Sequence, residues 1–97
     1  MRESAQERDA RRALAVFGHV SRKDGRDGWP DRCVILGMNR HVWIEHKTDI
    51  GRLTPAQKRV FPMLERMGET IIYAKGMSVE DIVARVRSAA ATMRKTA

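Results

Sequence analysis

At 97 residues the chain has the length of one domain, with little to spare for burying a core. A hydrophobic content of 42% and a charged content of 32% exclude an acidic or low-complexity disordered chain. The lone cysteine, Cys33, excludes a disulfide scaffold, and no apolar run approaches the roughly 18 residues of a membrane span. With 19 Lys+Arg against 12 Asp+Glu, the formal net charge is +7. Such an excess on a small body points to a polyanionic partner, nucleic acid foremost. A basic protein without such a partner is the alternative. The opening MRESAQERDARR lacks the apolar core of a signal peptide, so a cytoplasmic protein without a membrane anchor is expected.

The first predicted element is a helix from about Glu3 to Phe17, with Ala10, Ala13, Leu14 and Phe17 forming an apolar stripe and Gly18 as its stop. A short strand is expected over His19 to Lys23, then a polar, glycine-rich loop from Asp24 to Gly28. Pro30-Asp31 opens an extended run, Arg32 to Leu36. Gly37-Met38-Asn39-Arg40 is a turn, and His41 to Lys47 is a second β-rich run, which together read as a hairpin. Ile50 to Leu53 lead into a helix from Pro55 to about Met67. Thr54 is its N-cap, Gln57 completes a capping box, and Pro62 predicts a kink or an early break. Thr70 to Ala74 is a strand, parallel to the Glu45 strand through a β-α-β crossover. Ser78 caps a last helix striped by Val79, Ile82, Val83 and Val86. The order is α-β-β-β-α-β-α, one α/β domain spanning 1–97 with a mixed sheet and a C-terminal helix.

The chemistry concentrates around the hairpin. Pairing Leu36 with His41 sets Arg32 opposite Glu45 and Asp31 about one residue from it, within cross-strand reach. Glu45 and Lys47, two apart, share a strand face with Trp43, while Val42 and Ile44 turn to the core. Two carboxylates and an ammonium at one end of a sheet suit Mg²⁺ or Mn²⁺ and the hydrolysis of a phosphodiester. An ordinary ion pair on an exposed sheet face is the alternative reading of the same residues.

At this point the sequence resembles a known family. Gly28-Trp29-Pro30-Asp31, then Glu45-His46-Lys47, then Gly51-Arg52-Leu53-Thr54-Pro55-Ala56-Gln57 is similar to the G-x-P-D, E-x-K and G-R-L-[S/T]-P-x-Q blocks of the VRR-NUC domain. This is a branch of the PD-(D/E)XK nucleases, whose core is the restriction-endonuclease-like α-β-β-β-α-β arrangement. The likeness extends from the first helix through the strand after Gly68, and the small standalone members it resembles are mostly phage-encoded. The resemblance implies that Asp31 and Glu45 bind the metal, with the backbone carbonyl of His46 as a further ligand. It implies that Lys47 is the catalytic lysine and that Gln57 positions water or the scissile phosphate. It also implies a glutamate on the first helix facing the site, for which Glu7 matches best and Glu3 is the alternative. The chain departs from the family in its bulky Trp29, its polar His46 and a short loop between Lys23 and Pro30.

Lys23, Arg26, Arg32, Arg40, Arg52, Lys58 and Arg59 flank these blocks and are candidate DNA phosphate contacts. Gln57 has an independent reason to be present, the capping box, and Glu3 and Glu7 complement a helix dipole whatever else they do. His19, His41, His46 and Cys33 match no common zinc spacing. The expectation is a Mg²⁺- or Mn²⁺-dependent DNA endonuclease, selective for branched or junction DNA, with no small-molecule cofactor. Two cuts need two sites, so a symmetric homodimer is expected. A non-catalytic DNA-binding module on the same fold, and an RNA hydrolase, are the competing readings.

Overall fold

A computed structural model describes the backbone of residues 4–48 and 51–96. Helix α1 spans Ala5–Leu14, strand β1 His19–Val20, β2 Arg32–Gly37 and β3 Arg40–Lys47. Helix α2 spans Pro55–Arg66, strand β4 Ile71–Lys75 and helix α3 Val79–Thr96. The sheet runs β1-β2-β3-β4, antiparallel except for the β3–β4 pair, which is parallel. This is the mixed-sheet α/β core expected from the sequence. Glu3 and Ile50 lie outside the described residues. Among the described residues, no helix is long and apolar enough to cross a membrane.

The helices sandwich the sheet. On one face, Ala10 and Leu14 of α1 and Ile82 and Val86 of α3 pack against Val34, Val42, Ile44, Ile72 and Ala74. On the other, Phe61 and Leu64 of α2 cluster with Ile71, flanked by Trp29, Trp43, Leu53 and Val60. Burying each large apolar side chain in these layers contributes about 1.5–3 kcal/mol. Alternation along β3 divides its residues between the layers: Val42, Ile44 and His46 to the α1/α3 side, Trp43, Glu45 and Lys47 to the α2 side.

Three local expectations need correction. The first strand is two residues, His19–Val20, rather than five. Helix α2 continues through Pro62, which excludes the early break, though not the kink. Pro62 lies on the exposed side of the helix one turn after exposed Lys58, whose freed carbonyl can be hydrated.

The third correction is the hairpin register. Met38 (φ 54°) and Asn39 (φ 60°) form a tight two-residue turn of left-handed residues, and Gly37 pairs with Arg40. The register then shifts by one between Gly37 and Ile35, leaving Leu36 as the extra residue of a β-bulge. Beyond it Ile35 pairs with His41 and Arg32 with Ile44, not with Glu45. Continuing that register one step sets Asp31 directly opposite Glu45, on the same face. It also turns Arg32 to the opposite face, beside Ile44.

Candidate active site

Asp31 follows buried Pro30 at the mouth of β2, and its carbonyl accepts a bond from Asp24 N at 2.7 Å that holds the preceding loop. Its main-chain N donates to Glu45 Oε1 at 3.1 Å, and its Oδ2 accepts from His46 N at 3.0 Å. Glu45 is only 2% exposed. Its other oxygen, Oε2, accepts from Gln57 Nε2 at 2.9 Å and lies 3.4 Å from Lys47 Nζ. The register thus brings Asp31, Glu45, Lys47 and Gln57 together at one end of the sheet.

Gln57 reaches Glu45 because of the helix start. Its main-chain N donates to Thr54 Oγ1 at 3.1 Å, and its side-chain Oε1 accepts from Thr54 N at 2.9 Å, completing the capping box. With Oε1 committed to that main-chain donor, the amide NH₂ is left to face Glu45, which fixes the orientation of the amide. The capping role and the site role belong to one side chain at once.

The electrostatics of the pair are unbalanced. Burial, followed by the charge of neighbouring Asp31, pushes the Glu45 carboxyl above its ordinary value, and the Gln57 bond and Lys47 reverse this only in part. Two carboxylates held side by side by N–H donors form a hard-oxygen donor set, whose mutual repulsion a divalent cation would relieve. Asp31 and Glu45 are the side chains that could hold one. No group of three or more His, Cys, Asp or Glu is arranged for a metal among the described residues, so further ligands would be main-chain oxygen or water.

Glu7 does not join this group. Helix α1 carries it to the opposite face of β3, where it is buried, 3.1 Å from Lys23 Nζ and 3.9 Å from Arg32 Nη2. It shares with Lys47 only the lining of a cavity of about 230 Å³, completed by Ser4, Gln6, His46 and Thr48. The His46 ring lines the same cavity, and burial pushes its pKa down.

The candidate phosphate contacts divide sharply. Arg32 is 7% exposed, and its guanidinium donates to Ser21 O at 2.9 Å and faces Glu7. It is a buried counter-ion and is withdrawn from the DNA contacts, because the bulge turned it inward. Lys23 is paired with Glu7. Arg40 bonds main-chain carbonyls of Leu36 and Gly37 in the turn, five residues and about 17 Å of strand from Glu45, so it is remote from the site. Arg52, Lys58 and Arg59 are exposed near the start of α2.

Two arrangements have no counterpart in the sequence reading. Glu69 Oε1 accepts from Trp43 Nε1 at 2.7 Å and lies 2.6 Å from His41 Nε2. Burial raises the Glu69 carboxyl, but these two bonds outweigh it and hold the group below its usual value. The Asp24 carboxylate accepts from Arg26, from its main-chain N at 2.8 Å and from its guanidinium at 2.6–3.1 Å. The signal for the second was present: an Asp two residues before the residue it bonds is an Asx-turn pattern. Burial, then Glu69, pushes the Cys33 thiol up to about 11.

Comparison of the chain with protein-family models returns no match, and comparison with curated proteins returns none either.

Proposed function

We propose that the chain is a divalent-metal-dependent DNA endonuclease of the VRR-NUC type, within the PD-(D/E)XK nucleases. One observation carries the reading: Asp31 and Glu45 are held together by main-chain and amide donors, with Lys47 beside them and Glu45 pushed above its ordinary ionisation range. Asp31 and Glu45 would hold Mg²⁺ or Mn²⁺, with the His46 carbonyl as the third protein ligand. When bound, the metal supplies Lewis acidity toward a phosphate oxygen and acidifies water.

The chain's own residues do the rest. Gln57 fixes the Glu45 carboxylate in one orientation. Lys47 aligns the attacking water and keeps a positive charge where negative charge grows on the phosphoryl oxygens. The net charge of +7 draws the phosphate backbone in, and exposed Arg52 and Lys58 are the phosphate contacts nearest α2's start. The preferred substrate is branched or junction DNA, cut by a symmetric homodimer acting in the cytoplasm, in a bacterial host if the chain is phage-encoded.

The test is nicking of branched and linear DNA, and of RNA, with Mg²⁺ or Mn²⁺. Lys47→Ala and Asp31→Asn should slow cleavage at least 100-fold relative to the parent. A parent protein that binds DNA tightly yet cuts nothing would establish the binding-module reading instead. Variants that cut as fast as the parent would remove these residues from the site. Light scattering on the eluting protein checks the dimer.

A further inference from the structure

The loop before Asp31 carries a stack of planar groups. Arg26 Cζ lies 3.6 Å from the centroid of the Trp29 ring, a close face-on cation–π contact. The guanidinium is fixed in its plane by Asp24, which takes Nε at 3.0 Å and Nη2 at 2.6 Å. Trp29 packs edge-to-face on Trp43 with centroids 5.6 Å apart, and Trp43 is pinned to Glu69 at 2.7 Å. The loop itself is anchored: Trp29 N donates to Arg26 O at 3.2 Å, and Gly28 (φ 84°) sits so close to α2 that a Cβ there would lie 2.8 Å from Ala56 O.

The outer end of the stack is open. The Arg26 side chain remains 56% exposed although one face is covered by Trp29 and one edge by Asp24. Asp24 neutralises the charge, which weakens Arg26 as a phosphate contact, but it leaves a flat, immobilised guanidinium face turned to solvent. Planar Arg faces and aromatic rings are the surfaces on which unstacked nucleobases settle, and holding the plane in advance removes most of the ordering cost. Trp43 shares the strand face of Glu45 and Lys47, and Asp31 is two residues beyond Trp29 in the chain. The inner end of the stack, Trp43, therefore lies on the sheet face that presents Glu45 and Lys47.

We propose that Arg26, backed by Trp29 and held flat by Asp24, is a stacking platform for one unpaired nucleobase next to the scissile phosphate. The substrate class is DNA with an unpaired nucleotide at the cut: a flap, a bulge or a branch point. This rests on the nuclease reading for the position of the cut, but base stacking itself does not need cleavage.

The experiment uses the full chain in EDTA, where no metal-dependent cutting occurs, and two DNA probes: a perfect duplex and the same duplex with one unpaired 2-aminopurine. The parent should bind the unpaired probe more tightly and quench its fluorescence, as stacking does. Arg26→Lys keeps the charge and loses the plane. It should weaken the unpaired probe about five- to tenfold and the perfect duplex less than twofold, with quenching lost. Asp24→Asn, which frees the guanidinium, should lose part of the quenching while leaving charge-driven duplex binding intact or stronger. Equal loss on both probes for Arg26→Lys would make Arg26 a phosphate contact and overturn the platform. So would unchanged quenching. A parent that cuts branched DNA with Mn²⁺ but never quenches the probe sinks the platform alone. A parent that quenches and discriminates but never cuts sinks the nuclease reading alone.

Discussion

Replacing Gln57 with Glu separates the two tasks of that side chain. Glutamate keeps the acceptor for Thr54 N–H and adds favourable negative charge to the first turn of α2. It removes the N–H given to Glu45 Oε2 at 2.9 Å and sets a second carboxylate in its place. Two unit charges about 4 Å apart repel by roughly 4 kcal/mol at an effective dielectric of 20. Lys47, 3.4 Å from the same oxygen, offsets part of this, so a net cost of about 2–3 kcal/mol is expected when both acids are ionised. The pair escapes that cost by holding a proton, and its apparent ionisation moves further in the direction in which burial and Asp31 already push Glu45, upward. An acid raised on folding stabilises the fold below its unfolded value and loses that contribution as pH rises through the folded value. Gln57→Glu should therefore match the parent in urea unfolding at pH 4 and fall about 2–3 kcal/mol behind at pH 8, in EDTA. Thr54→Ala, which removes the cap alone, should cost about 1 kcal/mol at both pH values. If Gln57→Glu tracks the parent at pH 8, the amide is not the donor that holds Glu45.

Metal binding should be proton-linked. Because Glu45 ionises above its ordinary 4.5, Mn²⁺ affinity should be full above the raised value and fall up to tenfold per pH unit below it, read by calorimetry; affinity unchanged from pH 8 to 4.5 would remove Glu45 as a ligand. Glu7→Ala takes the counter-charge from buried Arg32 and should cost roughly 3 kcal/mol in denaturant unfolding. The double variant Glu7→Ala/Arg32→Met should regain most of that loss, and no recovery would mean that the pair is not coupled. Cys33, with its thiol raised to about 11, should react slowly with a disulfide reagent at pH 8 and rapidly once the protein is unfolded.

The helices and strands were legible because their periods and caps are local. The stripe of Ala10 and Leu14, the Thr54–Gln57 box and the β-branched run at Ile71-Ile72 each announce one element, and the crossover rule orders them. The hairpin register was not local in this sense. It depends on whether the chain turns over two residues or four, and Met38 carries no signal for the left-handed conformation that it adopts. That single residue of slip decides which neighbour of Glu45 is an acid and which side of the sheet receives Arg32. Of the candidate site, Asp31, Glu45 and Lys47 could be grouped from spacing alone, whereas the place of Glu7 behind the sheet required the packing of α1. The Gln57 capping box could be read from Thr54-x-x-Gln57, whereas the bond from its amide N–H to Glu45 depends on how α2 sits against β3.

The hydrogen bonds between Asp31 and the Glu45–His46 strand run both ways: the backbone at 31 grips the side chain at 45, and the backbone at 46 grips the side chain at 31. Each acid is thus part of the scaffold of the other. Half of this site has no stable form of its own, because losing either carboxylate also loosens the strand mouth that presents its companion. Effects of single replacements here will not sum. Asparagine at 31 keeps an acceptor for His46 N, which makes it the gentlest way to silence the pair without dismantling the clasp.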